Sequence, residues 1–443
     1  MKKEISLKNN KLFYNNIDLA GLAEEFQTPL RVTFLDVIKQ RVIDLKNAFN
    51  EAINNNNYQG KFIYANANKA NYEYLEINEA YINGDAIECS SYYDLLYTKE
   101  LVKKHSFWNE RPIICNGIKC NDYLDEICDM TNNGYYIIDI CDSLEEYLYL
   151  KEKNVNSLEI GVRIHLSSLY EADTVLDDRF GMNEDEFNFI INDIKNCNHL
   201  KLTTVHFHQR GFEFEKEKFE LNIYKAFSYY VKAVNKVNSV INLNIGGGTP
   251  LPHDNDFDYC EYAMNTILYL KKLAKEFNVK EPNIISENGK YSQKDSTVNI
   301  YEVVKVKNTG EFPWYVLNGS LLIAMPEMYA LGEEILVLPI NNLDKEYKKV
   351  RLSSLTCDCD DVYFNKGLGY IEVPKYEKEE KLYIGLFGTG SYQNSMNGKG
   401  GWHHCLLPEE KDVVIYTEGG ETKYFVRSEL QSIEKIKKLV HFE

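Results

Sequence analysis

Between about residue 60 and residue 290, eight short runs of β-branched and aliphatic residues alternate with longer stretches of helical period. No other feature restricts the fold as strongly, because strands that alternate with helices pair in parallel through crossovers of one hand. The runs are Lys61 to Ala65, Ala86 to Ser90, Pro112 to Asn116, Tyr135 to Ile140, Glu159 to His165, Leu202 to His208, Asn242 to Ile245 and Asn283 to Ser286. Segments between them, such as Glu217 to Ser239 and Tyr259 to Phe277, carry apolar residues three and four apart, as helices packed on a sheet require. Eight such units predict an α/β fold built on a (β/α)8 barrel.

Past residue 290 the texture changes. YEVVKV, PWYVLNG, EEILVLPI, DVYF and KLYIGLF read as strands divided by Gly, Asn and Asp turns, and the one later stretch of helical period is Ser428 to Val440. The N-terminal LFYNN run precedes a helical stretch from Leu35 to Ala52 and is expected to add a strand to this β region. The division that follows is an N-terminal segment at 1–34 joining the β domain, a barrel at 35–290, and a C-terminal mostly β domain at 291–443. A chain of 443 residues exceeds one ordinary core, which agrees with two domains.

Fifty Lys and Arg against 67 Asp and Glu give a net charge of -17, which repels phosphate backbones and anionic lipid headgroups. No nucleic-acid or membrane partner is expected. The basic N-terminus is not followed by an apolar run of signal-peptide type, and no stretch approaches the roughly 20 apolar residues of a membrane span. Ten cysteines are scattered, several inside apolar runs, which suits a reducing, cytoplasmic compartment better than a disulfide framework.

Chemistry in such barrels sits at the C-terminal ends of the strands. Lys69, in YANANKAN, follows the first strand among small residues that leave room for a planar ligand. His206 and His208 close the sixth strand in HFHQRG, and period two puts both imidazoles on one side. Packed core histidines and a solvated lysine are the plain alternatives. Gly246, Gly247 and Gly248 follow the seventh strand, where bare backbone can approach an anion, and loops after strands seven and eight commonly hold phosphate. The eighth strand ends in ENGK, which brings Glu287 to the mouth beside Gly289 and Lys290. Opposite a lysine and a phosphate cradle, that carboxylate reads best as the partner of a pyridinium nitrogen, keeping an electron sink protonated.

With these motifs in order, and with QTPL, GDAIECSS, GVRIHL, RFGM, TCDCDD and GSYQ also present, the sequence resembles the fold-type III pyridoxal-phosphate decarboxylases over most of its length. That group contains ornithine, diaminopimelate and biosynthetic arginine decarboxylases and shares its barrel with alanine racemase. The resemblance implies pyridoxal 5′-phosphate as cofactor, Lys69 as its Schiff-base lysine and His208 as the residue stacked on its ring. It implies Gly246 to Gly248, Gly289, Lys290 and Tyr392 at the phosphate and Glu287 at the pyridine nitrogen. Cys357 matches the cysteine that protonates the substrate carbon, and Asp358 the acidic residue that holds a distal amino group. In the family those last two come from a neighbouring subunit, so the resemblance implies a homodimer with shared sites.

Two positions depart from the family pattern. Arg210 and Gly211 replace the usual Gly-Ser after the histidine, and Lys290 replaces an arginine, a point charge without the guanidinium fork.

Three other readings compete with an amino-acid decarboxylase. A racemase on the same barrel needs a tyrosine as second acid/base, and TCDCDD argues against it. A non-catalytic regulatory relative is disfavoured by Lys69, His208, Glu287 and Cys357 being retained together. A zinc site from Cys357, Cys359, His403, His404 and Cys405 suits the ligand chemistry, but C-x-C is tight for a structural zinc knuckle, and no metal is expected. Asp358 favours a substrate with a distal cation, of arginine, ornithine, lysine or diaminopimelate type, and GSYQ looks more like arginine decarboxylases than diaminopimelate ones.

Overall fold

All eight expected runs become strands, and in the computed structural model they close on themselves in parallel. The structure describes residues 4–166, 179–208, 216–252, 257–363 and 369–442. The barrel strands are Phe62–Ala67, Ala86–Cys89, Ile113–Cys115, Ile137–Cys141, Leu158–Arg163, Leu200–His206, Asn242–Asn244 and Asn283–Asn288. Each pairs with the next, and the eighth pairs with the first, Glu287 opposite Ala65. The barrel belongs to a unit spanning residues 39–291.

Alternation along the strands explains the barrel interior. Ala65, Ala86, Ile114, Ile138, Ile140 and Ile285 form one buried apolar cluster. Gly161 belongs to the same interior, since a Cβ there would lie 2.5 Å from Cδ1 of Ile140 and 3.1 Å from Cβ of Thr204. Two residues further along each strand, toward the C-terminal ends, period two brings Ala67, Glu88, Asn116, Asp142, Arg163, His206 and Glu287 to the same inner surface. The barrel floor is therefore apolar and its mouth polar.

Residues 1–38 and 292–443 form the second unit. Its nine-stranded sheet is built around the long strand Thr297–Lys307, which pairs with both Leu30–Phe34 and Tyr383–Phe387. LFYNN contributes the strand Lys11–Tyr14, but to a separate three-stranded sheet; the N-terminal strand that enters the large sheet is Leu30–Phe34, buried at every residue. Leu12 and Tyr14 share a core with Val298, Ile300 and Phe387.

Two further expectations in this region need correction. The helix expected at Ser428 to Val440 is the short Ile433–Leu439, because Glu421–Ser428 is a strand paired antiparallel with Lys411–Glu418. The turn joining them is Gly419 and Gly420, both at positive φ, which makes KDVVIYTEGGETKYFVRS a hairpin. DVYF forms only a single bridge, Val362 to Ser353, and Phe364 lies outside the described residues. Among the described residues no helix is long and apolar enough to cross a membrane.

Candidate active site

The first barrel strand runs to Ala67, two residues beyond the end read from sequence, so Lys69 follows it almost at once in a helical turn, Asn68–Ala70. Asn68 anchors that turn. Its Nδ2 donates to Asp94 Oδ1 at 3.0 Å and to Thr98 Oγ1 at 2.9 Å, and its Oδ1 accepts from Asn66 at 3.0 Å. With Asn68 buried and fixed, Lys69 is left exposed at the barrel mouth. Gly289 allows the eighth strand to close against this turn, since a Cβ there would lie 2.7 Å from Cβ of Ala70 and 2.8 Å from the Ala67 carbonyl. Lys290 follows, partly buried, in the turn Lys290–Gln293.

Glu287 is buried, and its Oε1 accepts from Nδ2 of Asn244 at 2.7 Å and from Nδ2 of Asn116 at 3.0 Å. Nδ1 of His206 lies 3.8 Å from the same oxygen. Asn116 also donates to Oε1 of Glu88 at 3.0 Å, so one amide nitrogen bridges two buried carboxylates. Burial pushes the Glu88 carboxyl up; the Lys69 ammonium opposes this and the Glu287 carboxylate adds to it. Desolvation, then Arg163, pushes His206 well below the ordinary imidazole range. Among the described residues, Oε2 of Glu88, Oδ1 of Asn116 and Nδ1 of His206 are buried without a hydrogen-bond partner. Polar atoms left this way at a barrel mouth suit a polar ligand, because an unsatisfied buried group otherwise costs about 1–3 kcal/mol.

The loop carrying Asn116 is pinned by Lys119. Its buried Nζ donates to the Ile140 carbonyl at 2.6 Å and lies 3.4 Å from Asp139 and 3.3 Å from Glu146, while its N–H donates to Glu146 at 2.9 Å. Burial opposes the charge on Lys119, but the two carboxylates prevail and hold its pKa above the ordinary lysine value.

His208 lies just past the sixth strand, which ends at His206. Its Nδ1 accepts the N–H of Gly247 at 3.2 Å, so the neutral ring carries its proton on Nε2. Desolvation, followed by the nearby Lys69 charge, pushes His208 well below the ordinary range, which favours that neutral form. The glycine loop is packed tightly here: a Cβ on Gly247 would lie 2.4 Å from the Glu287 carbonyl. The Gly246 N–H is also engaged, donating to Oδ1 of Asn244 at 2.9 Å. Among the described residues nothing accepts the N–H of Gly248, which is exposed with φ of 90°. Arg210 and Gly211 lie outside the described residues.

The barrel unit thus gathers Lys69, His208, Gly246 to Gly248, Glu287, Gly289 and Lys290. Cys357, Asp358 and Tyr392 belong to the other unit. There Asp361 holds the TCDCDD loop: buried, it accepts from Ser320, Ser354 and Thr356 hydroxyls and from the Leu322 N–H, at 2.7 to 3.0 Å. Cys357 is left exposed and Asp358 half-buried. Tyr392, at φ of 56°, sits in the loop after the strand Tyr383–Phe387. Glu88, Asn116 and Asn244 escaped the sequence reading. The signal that finds Glu88 and Asn116 is strand register, since each lies two residues beyond a barrel-facing position, Ala86 and Ile114, whereas Asn244 is found by its hydrogen bond to Glu287.

A closed parallel barrel with a lysine and a buried, hydrogen-bonded carboxylate at its C-terminal mouth defines a class of cofactor-dependent barrel enzymes. Residues 35–293 match the family described as "Pyridoxal-dependent decarboxylase, pyridoxal binding domain", and the chain belongs to that family. The biosynthetic arginine decarboxylase of Geotalea uraniireducens is 27% identical over 409 residues, covering 83% of this chain and 61% of the relative. That of Citrifermentans bemidjiense is 24% identical over 375 residues, covering 78% and 56%. The chain therefore spans little more than half the length of these relatives. Among solved structures, the arginine decarboxylase SpeA of Campylobacter jejuni superposes with a TM-score of 0.85 at 18% identity, covering all of this chain and 89% of that one. A diaminopimelate decarboxylase from M. jannaschii superposes at 0.81 with 19% identity, covering 98% and 97%.

Proposed function

We propose that the chain decarboxylates an amino acid bearing a distal amino or guanidino group, using pyridoxal 5′-phosphate carried on Lys69. The observation that carries this reading is the pairing of the first and eighth barrel strands. It sets the exposed Lys69 and the buried Glu287, fixed by two amides, at one mouth. The cofactor, when bound, supplies the electron sink for the bond that breaks. Its chemistry matches the residues present: an amine to hold it, a carboxylate held ready for a pyridinium proton, and a neutral His208 to lie against a ring. Gly248 and Lys290 are the barrel unit's phosphate contacts in this reading. The N–H groups of Gly246 and Gly247 already have partners, so those two glycines serve by close packing.

Cys357 returns a proton to the substrate carbon, and Asp358 receives the distal cation. Both act across a homodimer, each chain completing its partner's site. The names of the curated relatives favour arginine as substrate. With ten free cysteines, several buried, the chain suits a reducing cytoplasm.

The test is carbon dioxide release from arginine, ornithine, lysine and diaminopimelate by protein incubated with pyridoxal phosphate, with borohydride reduction and peptide mass mapping alongside. Release from at least one substrate is expected, with the reduced cofactor on Lys69 and none bound to Lys69→Ala. Protein that takes up no cofactor, or Lys69→Ala protein that is trapped as well as wild type, refutes the reading.

A further inference from the structure

The sequence alone gave little reason to expect a metal. In the β unit, however, the fold brings together side chains that lie almost fifty residues apart in the chain. The Sγ atoms of Cys357 and Cys405 stand 3.4 Å apart, and the Cys357 N–H points at the Cys405 sulfur. His404 joins them, so that one ligand atom from each of the three lies within 4.8 Å of the others. Oδ2 of Asp358 is 3.4 Å from Nε2 of His404.

We propose that Cys357, His404 and Cys405 form a zinc site with an open fourth position, and that zinc bound there withdraws the Cys357 thiol from chemistry. Tetrahedral zinc with sulfur ligands at about 2.3 Å holds two sulfurs roughly 3.8 Å apart, so the pair needs to move only a few tenths of an ångström. Sulfur and imidazole donors select zinc over magnesium or calcium. Asp358 is placed to orient the imidazole, as carboxylates do behind metal-ligating histidines. Cys405 and Leu406 both adopt left-handed backbone, at φ of 56° and 53°, a conformation that residues with side chains seldom take, and this bend carries the second thiol toward the first. A disulfide would leave the histidine and its carboxylate without a part. All three ligands are exposed, which makes the site an exchangeable one rather than a structural staple.

The withdrawal of Cys357 rests on its proposed role as proton donor; the metal site does not. The test is titration of chelator-treated, cofactor-loaded protein with cobalt and then zinc, read as difference spectra. One cobalt per chain should bind with thiolate charge-transfer absorption, and zinc should displace it. Cys405→Ser and His404→Ala should each weaken both metals at least about tenfold, and Cys359→Ser should not. Zinc should inhibit decarboxylation by the unsubstituted protein, and less so in Cys405→Ser relative to that variant's own metal-free rate.

Absence of the thiolate band, or equal affinity in Cys405→Ser and His404→Ala, overturns the site. So does a Cys357–Cys405 disulfide that survives reductant and leaves no metal bound. Stoichiometric binding without inhibition keeps the site but overturns the withdrawal of Cys357.

Discussion

Replacing Asn116 by alanine removes the one nitrogen that bridges Glu88 and Glu287, both at 3.0 Å. A hydrogen bond to a charged partner contributes about 1.5–3 kcal/mol. The two bonds share a donor, and water entering the mouth recovers part of the loss, so the expected cost is about 2–4 kcal/mol. For a domain of this size that lowers the melting temperature by roughly 4–16 °C. Glu88 also loses a contact that pulls its pKa down, so it holds its proton more strongly, while Glu287 keeps only the Asn244 amide. Turnover should therefore fall at least about tenfold, as expected when positioning of a reacting group is lost. The assay is thermal melting and steady-state rate for Asn116→Ala, Glu88→Gln and the double variant. Glu88→Gln removes the repulsion between the carboxylates, so Asn116→Ala should cost less in that background by about 1 kcal/mol or more. A melting shift below about 2 °C, with equal cost in both backgrounds, would show that this amide does not hold the carboxylates together.

Glu287→Gln keeps the shape and both amide contacts but removes the charge; turnover should fall by orders of magnitude with cofactor still bound, and an active variant would make the carboxylate structural only. Burial raises the Asp94 carboxyl from 3.8 to about 7 against the pull of its Asn68 and Ser90 hydrogen bonds. Below about pH 4 it is protonated folded or unfolded and its contribution is whole; as pH rises toward 7 only the unfolded chain releases the proton, so stability falls by up to about 4 kcal/mol. Asp94→Asn should flatten the melting temperature of the cofactor-free protein between pH 5 and 7, and an unchanged slope would place the titration elsewhere. Mixing inactive Lys69→Ala and Cys357→Ala proteins should restore activity up to about a quarter of the sites, since half of randomly paired dimers are mixed and each has one intact site. No recovery, with subunit exchange shown, removes Cys357 from a neighbour's site.

The barrel was legible because parallel strands buried on both faces leave continuous apolar runs, and eight of them appear in order. Lys69, Glu287 and the glycine loop were legible as residues just past strand ends. What the sequence hid has particular causes. Leu30–Phe34 lies next to a helix in the chain, and only partners from the distant strands Thr297–Lys307 and Lys411–Glu418 make it central to a sheet. The hairpin around Gly419 and Gly420 escaped the sequence reading because strand residues such as Tyr424 and Phe425 are exposed, so its second strand lacks the alternation that marks a buried face. Glu88 and Asn116 look like strand-end polar residues with no assigned task until register is known. Once Ala86 and Ile114 are seen to face the barrel axis, period two requires Glu88 and Asn116 to face it as well, one layer nearer the mouth. Glu88 and Glu287 on that layer repel unless something donates to both, and Asn116 is the residue whose amide reaches them. The polar mouth is thus a consequence of strand register, and the chemistry proposed for Lys69 and Glu287 depends on a layer of residues whose identities mean little outside that register.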